Sequence, residues 1–283
     1  MPLSIVTLAG IPRDGHLPTI LYGYGSYGVS LEPTFMPFFL PWVERGGVLA
    51  FAHVRGGGEL GADWHTEGQK LKKLNTILDF LACGQHLVDA GYTDPHHLAA
   101  MGGSAGGITV GRAMEVRPDL FGVVIDDSGM ADTLRTETEP NGPPNTVEFG
   151  SVKTRDGFRG LYAMSPYLHV RDGVRYPAVL LCAGANDPRV APWHSAKMAA
   201  RLQPSPRSVS RRLQRWPRRH RCRRLPAAVP HRRPDGLRPL ADGGTRVQLG
   251  AIAGLIRPAG YIRARVPGVR SGAWVLWCGE AVG

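Results

Sequence analysis

Six consecutive residues, Gly102-Gly103-Ser104-Ala105-Gly106-Gly107, surround one hydroxyl that could do covalent chemistry. A serine is a weak nucleophile at its ordinary pKa, so its use depends on how it is held and on what takes its proton. Here it lies inside G-x-S-x-G, after the apolar run Leu98–Met101 and before the helical-looking Ile108–Val116. Strand, tight turn and helix in that order make a nucleophile elbow. The glycines let the chain reverse sharply and pack closely, and the serine stands clear of the sheet at a helix start. Backbone N–H groups and the helix dipole at that point favour a developing oxyanion. A glycine-rich helix start with an N-cap serine would share the same bare motif, and the flanking strand and helix favour the elbow.

An activated serine needs a base, and the base needs an orienting acid. On such elbows the chain order is serine, acid, histidine. Asp187 is placed for the second role: the apolar run in AVLLCAGANDPRVAP reads as a buried strand followed by a loop bearing Asn186-Asp187-Pro188-Arg189. On spacing alone, Asp187 is equally a turn former.

These groups need a scaffold, and the chain supplies the pattern of one. Apolar runs at Thr19–Tyr22, Val48–Val54, Leu98–Met101, Val123–Asp126 and Val179–Cys182 predict strands. Between them, Asn75–Ala90 carries apolar residues at helical spacing. Buried strands alternating with helices predict an α/β fold, a mostly parallel doubly wound sheet with helices on both faces. The Gly56-Gly57-Gly58 run reads as a tight loop, since no Lys-Ser/Thr follows it. Arg55 and Glu59 beside it read as structural ion partners.

A chain of 283 residues, 43% hydrophobic, can bury one sizeable core. Its net charge of +11 suggests nucleic acid until it is divided along the sequence. Residues 1–203 hold 17 Lys and Arg against 20 Asp and Glu, whereas residues 204–283 hold 17 Arg, no Lys and 3 acids. At Pro204 the apolar periodicity stops. The expected organisation is therefore a partial catalytic domain over 1–203 and an Arg/Pro-rich, disordered tail over 204–283. No run approaches eighteen uncharged apolar residues, and the N-terminus has neither a basic n-region nor a long apolar h-region. A cytoplasmic protein with no membrane partner is expected. The cysteines, Cys83, Cys182, Cys222 and Cys278, lack metal-ligand spacing and read as reduced.

Seven motifs then carry a family resemblance: LYGYGSYG (21–28), HVRGGGELG (53–61), KKLNTILDF (72–80), MGGSAGG (101–107), RPDLFG (117–122), MSPY (164–167) and NDPRVAPW (186–193). In this order, over about 185 residues, the chain resembles prolyl oligopeptidases and their oligopeptidase B relatives. The resemblance implies an α/β-hydrolase fold and a serine peptidase that acts on peptides without cofactor or metal. It makes Ser104 the nucleophile and Asp187 the acid. It further implies that Tyr24 and the Ala105 N–H form the oxyanion hole, that Arg189 binds a substrate carbonyl, and that Tyr27 lines the substrate pocket. Two departures concern substrates. Prolyl oligopeptidases stack a Trp on proline and oligopeptidase B uses acidic residues for arginine; the corresponding stretch here, NGPPNTVEFGSVKTRDGF, has Glu148 and no Trp, which leaves the preferred residue open. The family's β-propeller has no counterpart in the residues before Thr19.

The third departure is the base. The family's histidine lies in D-Y-x-A-G-H-G, which this chain does not contain; His220 and His231 follow Asp187 in unpatterned, Arg-rich sequence, and neither is assigned. With Arg codons of the CGN type, reading Arg211–Arg221 from the second base of each codon permits Val-Asp-Tyr-Asn-Ala-Gly-His-Gly-Gly-Ile-Gly. A frame shift between about Gln203 and Pro206 is inferred, with the histidine encoded across Pro217 and Arg218 and an incomplete C-terminal part of the fold. The expected function is a serine-type oligopeptidase. The alternative is a catalytically inactive hydrolase-like protein lacking its base. Nucleic-acid binding through the Arg tail would rest on counterion release alone and is not expected.

Overall fold

Val48–Ala52 reads VLAFA, with no polar residue on either alternating face, so both faces must be covered. The computed structural model buries all five residues near one side of a sheet. It describes residues 1–32, 34–203, 209–214, 262–264 and 275–278. Among the described residues nine strands form the sheet: β1 (Leu3–Val6), β2 (Thr19–Tyr22), β3 (Val48–Ala52), β4 (Leu98–Gly103), β5 (Val123–Asp127), β6 (Ala178–Gly184), β7 (Val209–Gln214), β8 (Ile262–Ala264) and β9 (Val275–Cys278). Their order is β1-β3-β2-β4-β5-β6-β7-β9-β8. Pairing is parallel from β3 through β9, and only β1 and β8, at the two edges, run antiparallel. This is the α/β-hydrolase arrangement that the motifs imply.

Alternation along the strands divides the core between two layers. Val48, Ala50 and Ala52 join Leu21, Ala100 and Val124 beneath the helices Lys73–Asp89 and Gly106–Val116, where Ile77, Phe80, Val110 and Met114 are buried. Leu49 and Phe51 face the other way, onto Ile20, Ile125, Phe39 and Trp42. Each large side chain so buried contributes roughly 1.5–3 kcal/mol. Among the described residues no helix is long and apolar enough to cross a membrane.

The predicted strands lie where expected, with shifted ends. β3 stops at Ala52 because the chain bends at Val54, whose carbonyl accepts from Gly57 N–H at 3.1 Å. β4, β5 and β6 run one to two residues further toward the site than their apolar runs do, since ladder bonds continue through glycine and aspartate. β1 was not predicted: four half-exposed residues on an edge carry too little pattern. Cys83 and Cys182 are buried and outside any disulfide, and burial pushes the Cys83 thiol up to about 11. The expected disorder of the tail falls mostly outside the described residues; within it, the backbone of β7 pairs with β6 from Val179↔Val209 to Gly184↔Gln214.

Parallel strands end together, so the loops after β2, β4, β5 and β6 emerge on one edge of the sheet. Ligand sites of doubly wound sheets lie outside these carboxyl ends. Ser104 follows β4 and Asp187 follows β6.

Candidate active site

The elbow is built by contacts that leave no room for side chains. A Cβ on Gly106 would lie 2.8 Å from Gly23 O, and one on Gly107 would lie 2.5 Å from Gly129 Cα. The helix Gly106–Val116 can therefore press against the β2 and β5 loops. Ser104 takes φ +53°, a left-handed conformation that costs a non-glycine residue about 1–2 kcal/mol. Three backbone bonds hold it there: Ser104 N–H donates to Asp127 O at 3.2 Å, and Ser104 O accepts from Met130 N–H at 2.9 Å and Gly107 N–H at 3.1 Å. The side chain is left half-buried above the sheet.

Tyr24 reaches the serine from the next loop. Its carbonyl accepts from Thr109 Oγ1 at 2.8 Å, which ties the loop to the elbow helix, and its phenol lies beside the Ser104 side chain. Burial raises the Tyr24 phenol above its ordinary value, against the lowering effect of Ser104 and Arg189. It is therefore a protonated donor at neutral pH. Ala105 is buried at the N-cap of the helix, where first-turn N–H groups have no intrahelical acceptor.

Asp187 occupies the opposite wall of an open cleft of about 180 Å³ lined by Ser104, Asp127, Ser128, Asp187, Arg189 and Val190. Its Oδ1 accepts from Arg189 N–H at 2.8 Å and Val190 N–H at 3.3 Å. Its Oδ2 is buried and takes no hydrogen bond among the described residues. Such an acceptor suits an imidazole N–H. The Arg189 guanidinium is exposed, with Nε 3.9 Å from Asp187 Oδ1. Among the described residues no histidine hydrogen-bonds to Ser104 or Asp187, and His220 and His231 lie outside the described residues.

Tyr27, 39% exposed, stands at the rim with φ +60°. Its ring lies 6.4 Å from that of Tyr24 and edge-on to Phe149 at 5.4 Å. Its hydroxyl donates to Asn145 Oδ1 at 3.0 Å. Burial also raises its phenol above the ordinary range.

Behind these tyrosines lies a polar network that the sequence did not disclose. Glu148 is buried; its Oε1 accepts from Tyr27 N–H at 2.9 Å, and its Oε2 accepts from Gln69 at 2.8 Å and lies 2.8 Å from His65 Nε2. Lys73, equally buried, donates to Gly25 O at 2.6 Å and Ser26 Oγ at 2.8 Å, with Glu148 at 3.9 Å. Burial lowers the Lys73 ammonium to about 8. Only the tertiary fold joins positions 47 to 121 residues apart, so no local spacing announces them. Nearby, Arg55 clamps Asp79 with bonds of 2.6 and 2.8 Å, and Glu59 Oε1 accepts from Leu31 N–H at 2.8 Å and lies 3.4 Å from His53 Nδ1.

Comparison with known proteins gives this geometry a lineage. Protease 2 of Moraxella lacunata is 39% identical over 206 residues, which are 72% of this chain and 30% of that protein. Prolyl endopeptidase of Elizabethkingia meningoseptica is 38% identical over 204 residues, 72% of this chain and 29% of the relative. Among solved structures, oligopeptidase B from Trypanosoma brucei with covalently bound antipain superposes with a TM-score of 0.72 at 40% identity, over 75% of this chain and 31% of that one. The chain spans about 30% of the length of the curated relatives it matches. The model of the prolyl oligopeptidase family matches residues 33–223, from before β3 to beyond β7 and so across the elbow, the cleft and the Asp187 loop, and the chain belongs to that family.

Proposed function

We propose that this chain is the catalytic part of a serine-type oligopeptidase, hydrolysing peptide bonds through an acyl-enzyme on Ser104. The observation that carries the reading is the cleft itself: a strained serine beside the Tyr24 phenol shares it with a buried carboxylate that has an open acceptor. In the proposed reaction Ser104 Oγ attacks the peptide carbonyl as a base removes its proton. The negative oxygen that forms is received by the Tyr24 hydroxyl and the Ala105 N–H. The base returns the proton to the leaving amine, and water then releases the acyl group by the reverse sequence. Asp187 orients the base, Arg189 donates to a substrate carbonyl from the rim, and Tyr27 lines the pocket.

Glu148 bears on the choice of substrate. Both of its oxygens already serve Tyr27, Gln69 and His65, so it is a poor receptor for a substrate guanidinium. We therefore assign it to holding the pocket wall rather than to reading an arginine. A cytoplasmic location accords with the reduced Cys83 and Cys182.

A second reading rests on one observation: the sequence after Asp187 lacks the D-Y-x-A-G-H-G motif, while its shifted frame permits it. On that reading the polypeptide as written is an inactive hydrolase-like protein. Fluorophosphonate labelling and fluorogenic peptide hydrolysis, run on the chain as written, on a frame-restored chain and on Ser104→Ala in each, separate the two. Labelling and turnover that need Ser104 support the peptidase. Their absence from the frame-restored chain would sink it.

A further inference from the structure

At the other end of β4 from the serine, two side chains of one turn, Asp94 and His97, meet His16 from 78 residues earlier in the chain. The segment between β1 and β2 is tied to the turn before β4 by Gly15 N–H donating to Gly91 O at 3.0 Å and Leu17 N–H donating to Tyr92 O at 3.1 Å. His16 lies between these bonds, so its backbone is fixed on both sides. The Asp94 carboxylate is fixed by the turn itself, Oδ1 accepting from His96 N–H at 2.7 Å and His97 N–H at 3.0 Å. His97 is anchored through its carbonyl, which accepts from Thr19 N–H at 2.9 Å at the start of β2.

On this frame His16 Nδ1 lies 2.8 Å from Asp94 Oδ2, and His97 Nδ1 lies 2.9 Å from both Asp94 oxygens. The three ligand atoms fall within 4.8 Å of one another. Asp14, whose Oδ1 accepts from His16 N–H at 3.0 Å, adds a second nearby acid. A tetrahedral ion with bonds of about 2.0–2.1 Å sets its ligand atoms roughly 3.3 Å apart, a spacing these side chains reach by small rotations.

We propose that His16, Asp94 and His97 form a site for a divalent cation of the zinc class, which staples the β1–β2 connection to the turn that feeds β4. Two imidazoles and one carboxylate suit zinc, nickel or copper; calcium and magnesium prefer all-oxygen shells. With three protein ligands, water takes the fourth position. The site is independent of the peptidase reading, and its test needs no turnover.

Isothermal titration of the full chain with Zn²⁺ should show one equivalent whose affinity falls at least tenfold in His16→Ala, in His97→Ala and in Asp94→Asn; Mg²⁺ should give no saturable heat. Asp94→Asn keeps an oxygen for the turn amides and removes only the charge. Added Zn²⁺ should raise the unfolding midpoint of the parent chain and leave that of His16→Ala unmoved. Because the His16 side chain is 68% exposed, that variant keeps the test valid should Asp94→Asn fail to fold. Equal Zn²⁺ affinity and stoichiometry in parent and His16→Ala, or no saturable binding by the parent, would overturn the proposal.

Discussion

The two walls of the cleft are made differently. The nucleophile wall, loop 102–107 backed by loop 23–28, is held by backbone approaching backbone and by a buried polar network, and it presents a hydroxyl beside the Tyr24 phenol. The acid wall, loop 185–190, holds one carboxylate by two amide bonds and leaves one oxygen open. The first wall's hydroxyl and phenol belong to loops within the described residues; the open oxygen of the second has no hydrogen-bond partner among them. Positioning a nucleophile and supplying its base are thus separable tasks, carried by different stretches of polypeptide. Each prediction below acts on one wall and spares the other.

The largest effect is expected on the acid wall. On the reading that the frame is shifted, the chain as written should show peptidase activity near background, because loss of one triad member costs several orders of magnitude and leaves only residual oxyanion-hole catalysis. Restoring the frame after Gln203 should raise kcat/KM by about 10³-fold or more, and Ser104→Ala should erase the gain. Ser104-dependent turnover by the unrepaired chain would mean that His220 or His231 reaches Asp187, and the frame-shift account would fall.

On the nucleophile wall, Tyr24→Phe in the frame-restored chain should lower kcat by about 10²-fold, the scale for one oxyanion donor, with KM little changed. The donor acts on charge that exists only in the transition state. A loss confined to KM would reassign Tyr24 to ground-state binding.

These walls also differ in how far they could be read from sequence. The elbow is local: glycines, an apolar strand and a helix are adjacent in the chain, and their sterics leave few alternatives. Asp187 was visible only as an acid in the right order after a strand. The support behind Tyr27 was invisible, because Glu148 meets Tyr27 across 121 residues and Lys73 meets Gly25 across 48. His16 and Asp94, 78 residues apart, converge for the same reason. β1 escaped because four half-exposed edge residues have no period to detect.

Asp126 tests how much strain the elbow floor stores. It is fully buried near the end of β5, its Oδ1 takes no hydrogen bond among the described residues, and a Cβ on Gly107 or Gly129 would run into that oxygen. Burial first, then the charge of Asp127, raises its carboxyl to about 7 against the lowering effect of the Gly129 amide. A native pKa above the unfolded value means that the folded state holds the proton longer. Its contribution to stability is therefore full at pH below about 4 and is lost as pH rises through about 7. Asp126→Asn removes that titration and keeps an acceptor. Denaturant unfolding should find it more stable than the parent by roughly 2–4 kcal/mol at pH 8, relative to their difference at pH 4. A difference that stays flat with pH would show that Asp126 is already ionised in the folded protein.

The smallest effect separates the two tyrosines of the first wall. Tyr27 shares a loop with Tyr24, yet its hydroxyl points to Asn145 at an exposed contact, whereas the Tyr24 hydroxyl meets Ser104. A neutral hydrogen bond contributes about 0.5–1.5 kcal/mol, and an exposed one falls at the low end because water replaces it. Its ring, edge-on to Phe149, does not need the oxygen for packing. Tyr27→Phe in the frame-restored chain should therefore leave kcat within about twofold and raise KM by no more than about threefold, and the unfolding midpoint should barely move. Tyr27→Ala removes the ring as well and should raise KM further, again with kcat nearly constant, since the Glu148 bond goes to the Tyr27 backbone and survives the change. A tenfold loss of kcat in Tyr27→Phe would place both phenols in the reaction and erase the distinction between rim and oxyanion hole.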